Sequence, residues 1–187
     1  MNRRQLLVCG LALGLTGAAP RRTYERAHRA QTRKLVLYFE GSTALLLRAT
    51  LLTPEFREVL ATERKRLVDP TAANHAEYVA RMAADAAAFH EVVFAADSAI
   101  DNADRFGPAD DAWQLRLSAD GTDEPVVAVS RVANPTPLHS ALYTQVDKWG
   151  ELWIARFERT VATPRRVVLH TGSGYGHGEV VWDGLRG

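Results

Sequence analysis

The stretch TALLLRATLLTPEF, residues 43–56, decides the fold class because its hydrophobic period changes part-way along it. Residues 43–52 alternate apolar side chains with Arg48 and Thr50, which is the period-two pattern of a half-buried strand. Residues 53–55, Thr-Pro-Glu, then supply a helix start: a threonine cap, proline at the first helical position and an acid in the first turn. A strand therefore leads directly into a helix.

Two helices are predicted in this insertion, which covers about residues 54–97. The first helix ends at Asp69-Pro70, because the residue before a proline avoids helical backbone geometry. The second helix is predicted from about Asn74 to Ala96. It is rich in alanine, and one apolar stripe at helical spacing contains Tyr78, Met82, Phe89 and Val93.

The rest of the chain predicts short strands joined by turns. Including the two before the helices, we expect seven strands, at about residues 35–39, 43–52, 113–118, 126–132, 151–159, 166–170 and 179–182. Asp120-Gly121 is a turn signal, and no alternating βαβ pattern is present. Residues 35–187 are therefore predicted to form one mainly β domain of the α+β class. Its fold would be an antiparallel, immunoglobulin-like β-sandwich of about seven strands, with two helices inserted between strands 2 and 3.

Residues 1–18 have the three parts of a secretory signal. Arg3-Arg4 open the segment, a weakly apolar run covers residues 6–19, and small residues lead to Pro20. Adjacent arginines followed by Gln-Leu-Leu resemble a twin-arginine export signal, and a general secretion signal is the alternative. With cleavage after Ala18, the mature protein is expected to be periplasmic or secreted.

No membrane anchor is predicted for the mature chain. The apolar run of 14 residues is shorter than the roughly 20 that cross a bilayer as a helix. Cys9 follows the branched Val8 where a lipoprotein signal needs a small residue, so no lipid anchor is expected. Residues 19–34 are predicted to be a solvated basic linker. The positive charge of residues 21–34 leaves open a weak contact with anionic surfaces.

Composition excludes several classes of protein. A formal net charge of +1 with 24% charged residues is not that of a basic nucleic-acid-binding protein. A single cysteine excludes an internal disulfide and a cysteine-rich zinc module. No cofactor is predicted.

The most distinctive stretch is TGSGYGHG, residues 171–178. Phosphate-binding loops lead from a strand into a helix, whereas this loop leads into another strand, so a flexible hairpin loop is predicted. Its candidate ligand- or partner-binding residues are Ser173, Tyr175 and His177. His170 and His177 flank the loop and are candidate metal ligands, although two ligands do not complete a site.

Four segments, residues 44–57, 113–117, 152–157 and 178–182, resemble a group of uncharacterised exported bacterial proteins, some of which are lipoproteins. The likeness covers about residues 35–183. It implies an exported, strand-rich domain and brings no activity or catalytic residues with it.

Two functions follow from these observations. The first is an exported, non-catalytic binding or envelope-assembly accessory module, whose partner is an envelope protein or a glycan. The second is a small metal-dependent hydrolase that uses His170, His177 and an acid from the loop at residues 97–111. That loop is rich in aspartate, but no register within it supplies the ligand set of an EF-hand calcium site.

Overall fold

The computed structural model describes residues 18–100, 105–107, 112–145 and 151–185. Most of the predicted signal segment, residues 1–17, lies outside the described residues. The helices are α1 (Ala18–Gln31), α2 (Pro54–Val68), α3 (Ala72–Ala88) and α4 (Pro137–Leu142). The strands are β1 (Thr32–Phe39), β2 (Ser42–Leu51), β3 (Phe89–Asp97), β4 (Gln114–Ala119), β5 (Thr122–Glu124), β6 (Val126–Arg131), β7 (Glu151–Glu158), β8 (Arg166–Ser173) and β9 (Gly176–Asp183).

The strands form two antiparallel sheets. One sheet has the order β1-β2-β3-β7-β6 and the other has the order β5-β4-β8-β9. The expectation of a strand-rich, antiparallel domain is confirmed, but the described residues contain nine strands rather than seven. The finer assignment to an immunoglobulin-like sandwich stays a prediction.

Both sheets cover one apolar core. Its largest fully buried side chains come from strands of both sheets and from the residue before β4: Leu45, Leu47, Phe94, Trp113, Leu117, Phe157, Leu169 and Trp182. Alternate residues along each strand face this core, as the pleat requires. The period-two pattern in residues 43–52 is the sequence signal of this arrangement.

The two sheets meet at Pro125, which alone separates β5 from β6. Glu124 pairs with Leu117 in one sheet, and Val126 pairs with Phe157 in the other. Proline has no N–H for a ladder, but its carbonyl accepts a hydrogen bond of 2.8 Å from the Glu158 amide. One extended segment therefore passes from sheet to sheet at this point.

On the opposite side, β1 packs against β9 without a ladder of backbone hydrogen bonds. Side chains connect the two edges instead. The Trp182 indole donates to the Gln31 carbonyl at 2.7 Å, and Arg33 Nε donates to the Val181 carbonyl at 3.2 Å. We call this contact between β1 and β9 the β1–β9 seam. Gly178 allows the two strands to approach closely there, because a Cβ atom at this position would lie 2.9 Å from Leu35 Cδ2.

The second helix of the insertion ends at Ala88, so the prediction that it reaches Ala96 is wrong. Residues 89–97 form β3 in the middle of the five-stranded sheet, and residues 90–96 are all buried. A strand that is covered on both faces does not alternate apolar and polar residues, so the sequence signal of a half-buried strand is missing. The spacing of Phe89 and Val93 from Tyr78 matched a helix by coincidence.

The segment predicted as a basic linker, residues 19–34, is instead helix α1 and the first residues of β1. Tyr24 and His28 lie one turn apart and are buried. The Tyr24 hydroxyl donates to the Leu142 carbonyl, and His28 Nε2 lies 2.7 Å from Gln145 Oε1. Tyr24 and His28 alone form too short a buried stripe to be recognised in a segment that is rich in arginine. None of the helices in the described ranges combines the length and apolar character needed to cross a membrane.

We predict that Gly178→Val lowers the free energy of unfolding by about 1–3 kcal/mol, because the new side chain overlaps Leu35 and Leu37 at the β1–β9 seam. Urea denaturation measures this. Gly172→Val is the matched control, since the nearest atom to its Cβ, His177 Cβ, is 4.0 Å away. Equal losses in the two variants would contradict the close packing of the seam.

Candidate ligand-binding site

Helices α2 and α3 both begin with a threonine cap. Thr53 Oγ1 accepts a hydrogen bond of 3.2 Å from the Phe56 amide, and Thr71 caps α3 in the same way. Asp69 ends α2 in the left-handed conformation and donates its N–H to the Lys65 carbonyl. Local sequence therefore sets the turn between the two helices.

The two helices differ in how closely they pack on the sheet. Helix α2 buries Phe56 and Leu60 in an apolar cluster with Val93 and Leu152. Helix α3 has 17 residues, and Ala86 is its only buried one. Alanine side chains are too short to fill the space beneath a helix, so α3 leaves a gap beside α2.

This gap, the α2–α3 cleft, has a volume of about 520 Å³, which lies in the usual range for small-molecule sites. Its walls are mainly apolar. They comprise Pro54, Ala61, Val79, Met82, Ala83, Ala86 and Ala87, together with the polar Arg57, Glu58, Thr62, His75 and Arg159.

Three of the polar residues, Arg57, Arg159 and His75, lie towards the ends of the cleft. Arg159 donates to the Ala86 carbonyl near the end of α3, and Arg57 Nη1 contacts Met82 Sδ at 3.8 Å. His75 lies in the first turn of α3, about 16 Å from Ala86 along the helix axis. The cleft is therefore elongated, with two guanidinium groups towards one end and an imidazole towards the other.

A buried charge network lies beside the arginine end of the cleft. Glu91 of β3 accepts a hydrogen bond of 2.7 Å from Arg156 Nε and lies 3.9 Å from Arg57 Nη2. Arg57 also donates to the Leu52 carbonyl, and Arg156 lies 3.7 Å from Asp85 of α3. Burial lowers the pKa of Arg57, while Glu91 and Asp85 act in the opposite direction.

Three residues of the cleft carry a buried nitrogen atom without a hydrogen-bond partner. These atoms are Arg57 Nη2, His75 Nδ1 and Arg159 Nε. Buried polar groups in proteins are nearly always hydrogen-bonded, so each such atom needs an explanation. All three side chains also border the cleft, and Arg57 Nη2 lies 3.9 Å from Glu91 Oε1.

A second cavity of about 200 Å³ lies beyond Arg159, which borders both cavities. His90 borders this second cavity, and its Nε2 lies 3.6 Å from Glu124 Oε1. Glu124 also accepts hydrogen bonds from the amides of Thr160 and Val161, at 2.8 and 3.0 Å.

Both members of this buried pair have shifted pKa values. Burial, followed by the charge of Arg159, lowers the pKa of His90, and Glu124 opposes this only in part. Burial alone would raise the pKa of Glu124, but the hydrogen bonds from Thr160 and Val161, with His90, bring it below its usual value. The folded state therefore favours a neutral imidazole beside a carboxylate.

Ser173, Tyr175 and His177, the partner-binding residues predicted from sequence, do not meet in one site. Tyr175 packs on Phe39 and Trp113, with ring centroids 5.5 and 6.4 Å apart. Ser173 Oγ accepts a hydrogen bond from the Tyr175 amide inside a tight turn. Only His177 is exposed. The predicted flexible loop is a two-residue hairpin turn between β8 and β9.

His170 and His177 border one shallow surface groove of about 350 Å³. His170 Nε2 lies 3.1 Å from Ser118 Oγ, and His170 Nδ1 lies 3.1 Å from Glu179 Oε1, so both ring nitrogens are engaged. In the part of the chain that the structure describes, no three His, Cys, Asp or Glu side chains are grouped to hold a metal ion. Residues 101–104 and 108–111 of the acidic loop lie outside the described residues.

The sequence did contain a signal for the α2–α3 cleft. Glu91 directly precedes the apolar run of residues 92–96, and Arg57 lies within the apolar face of α2. A charge in a buried position requires a partner, but nothing in the sequence identified Arg156 or Arg159 as neighbours.

Comparison of the chain with protein-family models and with curated proteins finds no match.

We predict that Glu91→Ala lowers the free energy of unfolding by about 3–5 kcal/mol, because the buried Arg57 and the partly exposed Arg156 lose their common partner. Glu151→Ala is the control: its pair with Arg131 is at the surface and contributes about 0–1 kcal/mol. Chemical denaturation of both variants tests this, and similar losses would contradict the structural role of Glu91.

Lowering the pH should reduce the free energy of unfolding through His28 and His90. Burial lowers the pKa of His28, as it does that of His90, so below about pH 6.5 the unfolded chain binds protons that the folded chain does not. The free energy of unfolding should therefore fall as pH is lowered from about 7 to 5, by up to about 1.4 kcal/mol per pH unit for each histidine. His28→Gln and His90→Gln should each reduce this slope in urea denaturation. An unchanged slope in both variants would refute the assignment.

Proposed function

We propose that this protein is an exported, non-catalytic binding module that holds a small, elongated apolar molecule in the α2–α3 cleft. Export is supported by the signal pattern of residues 1–18. The observation that carries the binding proposal is a cleft of about 520 Å³ between α2 and α3, walled by alanine, valine and methionine.

The packing of α3 supports a ligand in this cleft. Val79 is 41% exposed, and Met82 only partly covers the cluster formed by α2 and β3. A ligand that removed these apolar groups from water would gain about 25 cal/mol for each Å² buried. Such a ligand would also pack against α3, whose own short side chains leave the cleft unfilled.

The geometry favours this site over the hairpin at residues 172–178. A glycan- or peptide-binding loop needs exposed side chains that converge, whereas Tyr175 packs beside Trp113 and Ser173 is used in the turn. The alternative of a metal-dependent hydrolase needs free imidazole nitrogens, and those of His170 contact Ser118 and Glu179. The proposed partner is therefore a small molecule rather than an envelope protein or a glycan.

The test is binding of N-phenyl-1-naphthylamine, a neutral apolar fluorophore, to the purified chain. Ala83→Trp should weaken binding at least about tenfold, because the indole occupies the cleft. Ala84→Trp is the matched control, since Ala84 is exposed on the same helix but outside the cleft lining. Its affinity should equal that of the wild type.

Two results would overturn the proposal. The first is no binding of the fluorophore by the wild type. The second is an equal affinity of Ala83→Trp and Ala84→Trp for the fluorophore, with both variants folded as judged by circular dichroism.

A further inference from the structure

We propose that the ligand of the α2–α3 cleft is a monocarboxylate with an elongated apolar chain, and that Arg159 and Arg57 hold its carboxylate. This inference rests on the proposed function and specifies the chemical class of the ligand. The apolar chain would lie along Val79, Met82 and Ala83, towards His75 at the far end of the cleft.

The first reason for this assignment is that Arg159 lacks an anionic partner among the described residues. Its guanidinium group donates to the carbonyl oxygens of Ala86 and Ala162, and its Nε has no partner. Within the described ranges no carboxylate forms an ion pair with Arg159. A guanidinium group bound only to carbonyls keeps its full charge available to an anion.

The balance of charge beside the cleft is the second reason. Arg57 and Arg156 are matched by Glu91 and Asp85, whose carboxylates lie within 3.9 Å of them. Glu124, beyond Arg159, lies beside His90 and accepts two backbone amides. Glu124 contributes a negative charge, but its carboxylate does not contact Arg159, so Arg159 is the arginine of this group that has no carboxylate in contact among the described residues.

One acid, Glu58, also borders the cleft. Glu58 is exposed to water, where its charge is well screened, and it has no ion pair with Arg57 or Arg159. It therefore does not take the place of a ligand carboxylate at the arginine end.

Hydrogen-bond geometry is the third reason. Arg159 Nε is a buried N–H donor without a hydrogen-bond acceptor, and Arg57 Nη2 faces only Glu91 Oε1, which at 3.9 Å is beyond hydrogen-bond distance. Arg57 itself is 3% exposed. A carboxylate offers two oxygen atoms and about four lone-pair sites, so one group can accept from both arginines. An alcohol or ester of the same chain length would accept fewer hydrogen bonds and would leave Arg159 without a carboxylate in contact.

The experiment measures displacement of N-phenyl-1-naphthylamine by decanoate, methyl decanoate, 1-decanol and decyl phosphate. Decanoate should bind the wild type at least about tenfold more tightly than the two neutral ligands and more tightly than decyl phosphate. Arg159→Gln should abolish the preference for the acid while the fluorophore still binds. Arg165→Gln is the control for net charge, because Arg165 is exposed and lies outside both cavities.

A second pair of variants keeps the test valid where Arg159→Gln fails to fold. Ala87→Glu places a carboxylate in the lining of the cleft near Arg159 and should weaken decanoate binding about tenfold. Ala87→Gln, of nearly the same size, should have a much smaller effect.

The outcomes separate this inference from the proposed function. Equal displacement by decanoate and 1-decanol would overturn the carboxylate assignment and leave the binding function intact. Tighter binding of decyl phosphate would also overturn it, in favour of a phosphate monoester. Failure of the wild type to bind the fluorophore at all would instead overturn the proposed function.

Discussion

Strand β3 is covered on both faces, and the rest of the structure is arranged around that constraint. Its inner face, with Val92 and Phe94, contributes to the core shared by the two sheets. Its outer face carries Glu91, whose carboxylate cannot be left buried without a partner. Arg156 on the neighbouring strand and Arg57 on α2 meet that requirement together. The helical layer is therefore joined to the sheet through charge as well as through apolar packing.

The two inserted helices contribute differently to this attachment of the helical layer to the sheet. Helix α2 supplies Phe56, Leu60 and Arg57, so it is held by apolar burial and by the charge network at once. Helix α3 buries a single alanine; Tyr78 in its middle packs against Arg64 of α2, and near its C-terminal end Arg159 donates to the Ala86 carbonyl. A cation that bonds the last carbonyl groups of a helix also interacts favourably with the helix dipole. The cleft exists because the alanine side chains of α3 do not fill the space between the two helices.

Sequence analysis succeeded where structure is decided locally. The alternation in residues 43–52, the Thr53 cap and the turn at Asp120-Gly121 depend only on neighbours in the chain, and the structure contains all three. It failed where burial comes from distant segments. Strand β3 lost its alternation because α2 covers its outer face.

The same limit applies to helix α1 and to the candidate site. Helix α1 looked like a linker because Tyr24 and His28 are the two buried side chains among residues 21–31, and their hydrogen-bond partners Leu142 and Gln145 lie more than a hundred positions away. The glycine-rich stretch attracted attention as a motif, but its tight turn directs Tyr175 onto Trp113. Arg57 and Arg159, which both border the cleft, are separated in sequence by five of the nine described strands.

Arg159 links the proposed ligand site to the position of α3. The same guanidinium group that would receive a carboxylate holds the carbonyls of Ala86 and Ala162, on either side of the arginine end of the cleft. A guanidinium has five N–H donors in a fixed plane, so Nε can donate to a ligand while Nη1 and Nη2 keep their bonds to those carbonyls. The ligand carboxylate and the last turn of α3 would then be held by the same side chain.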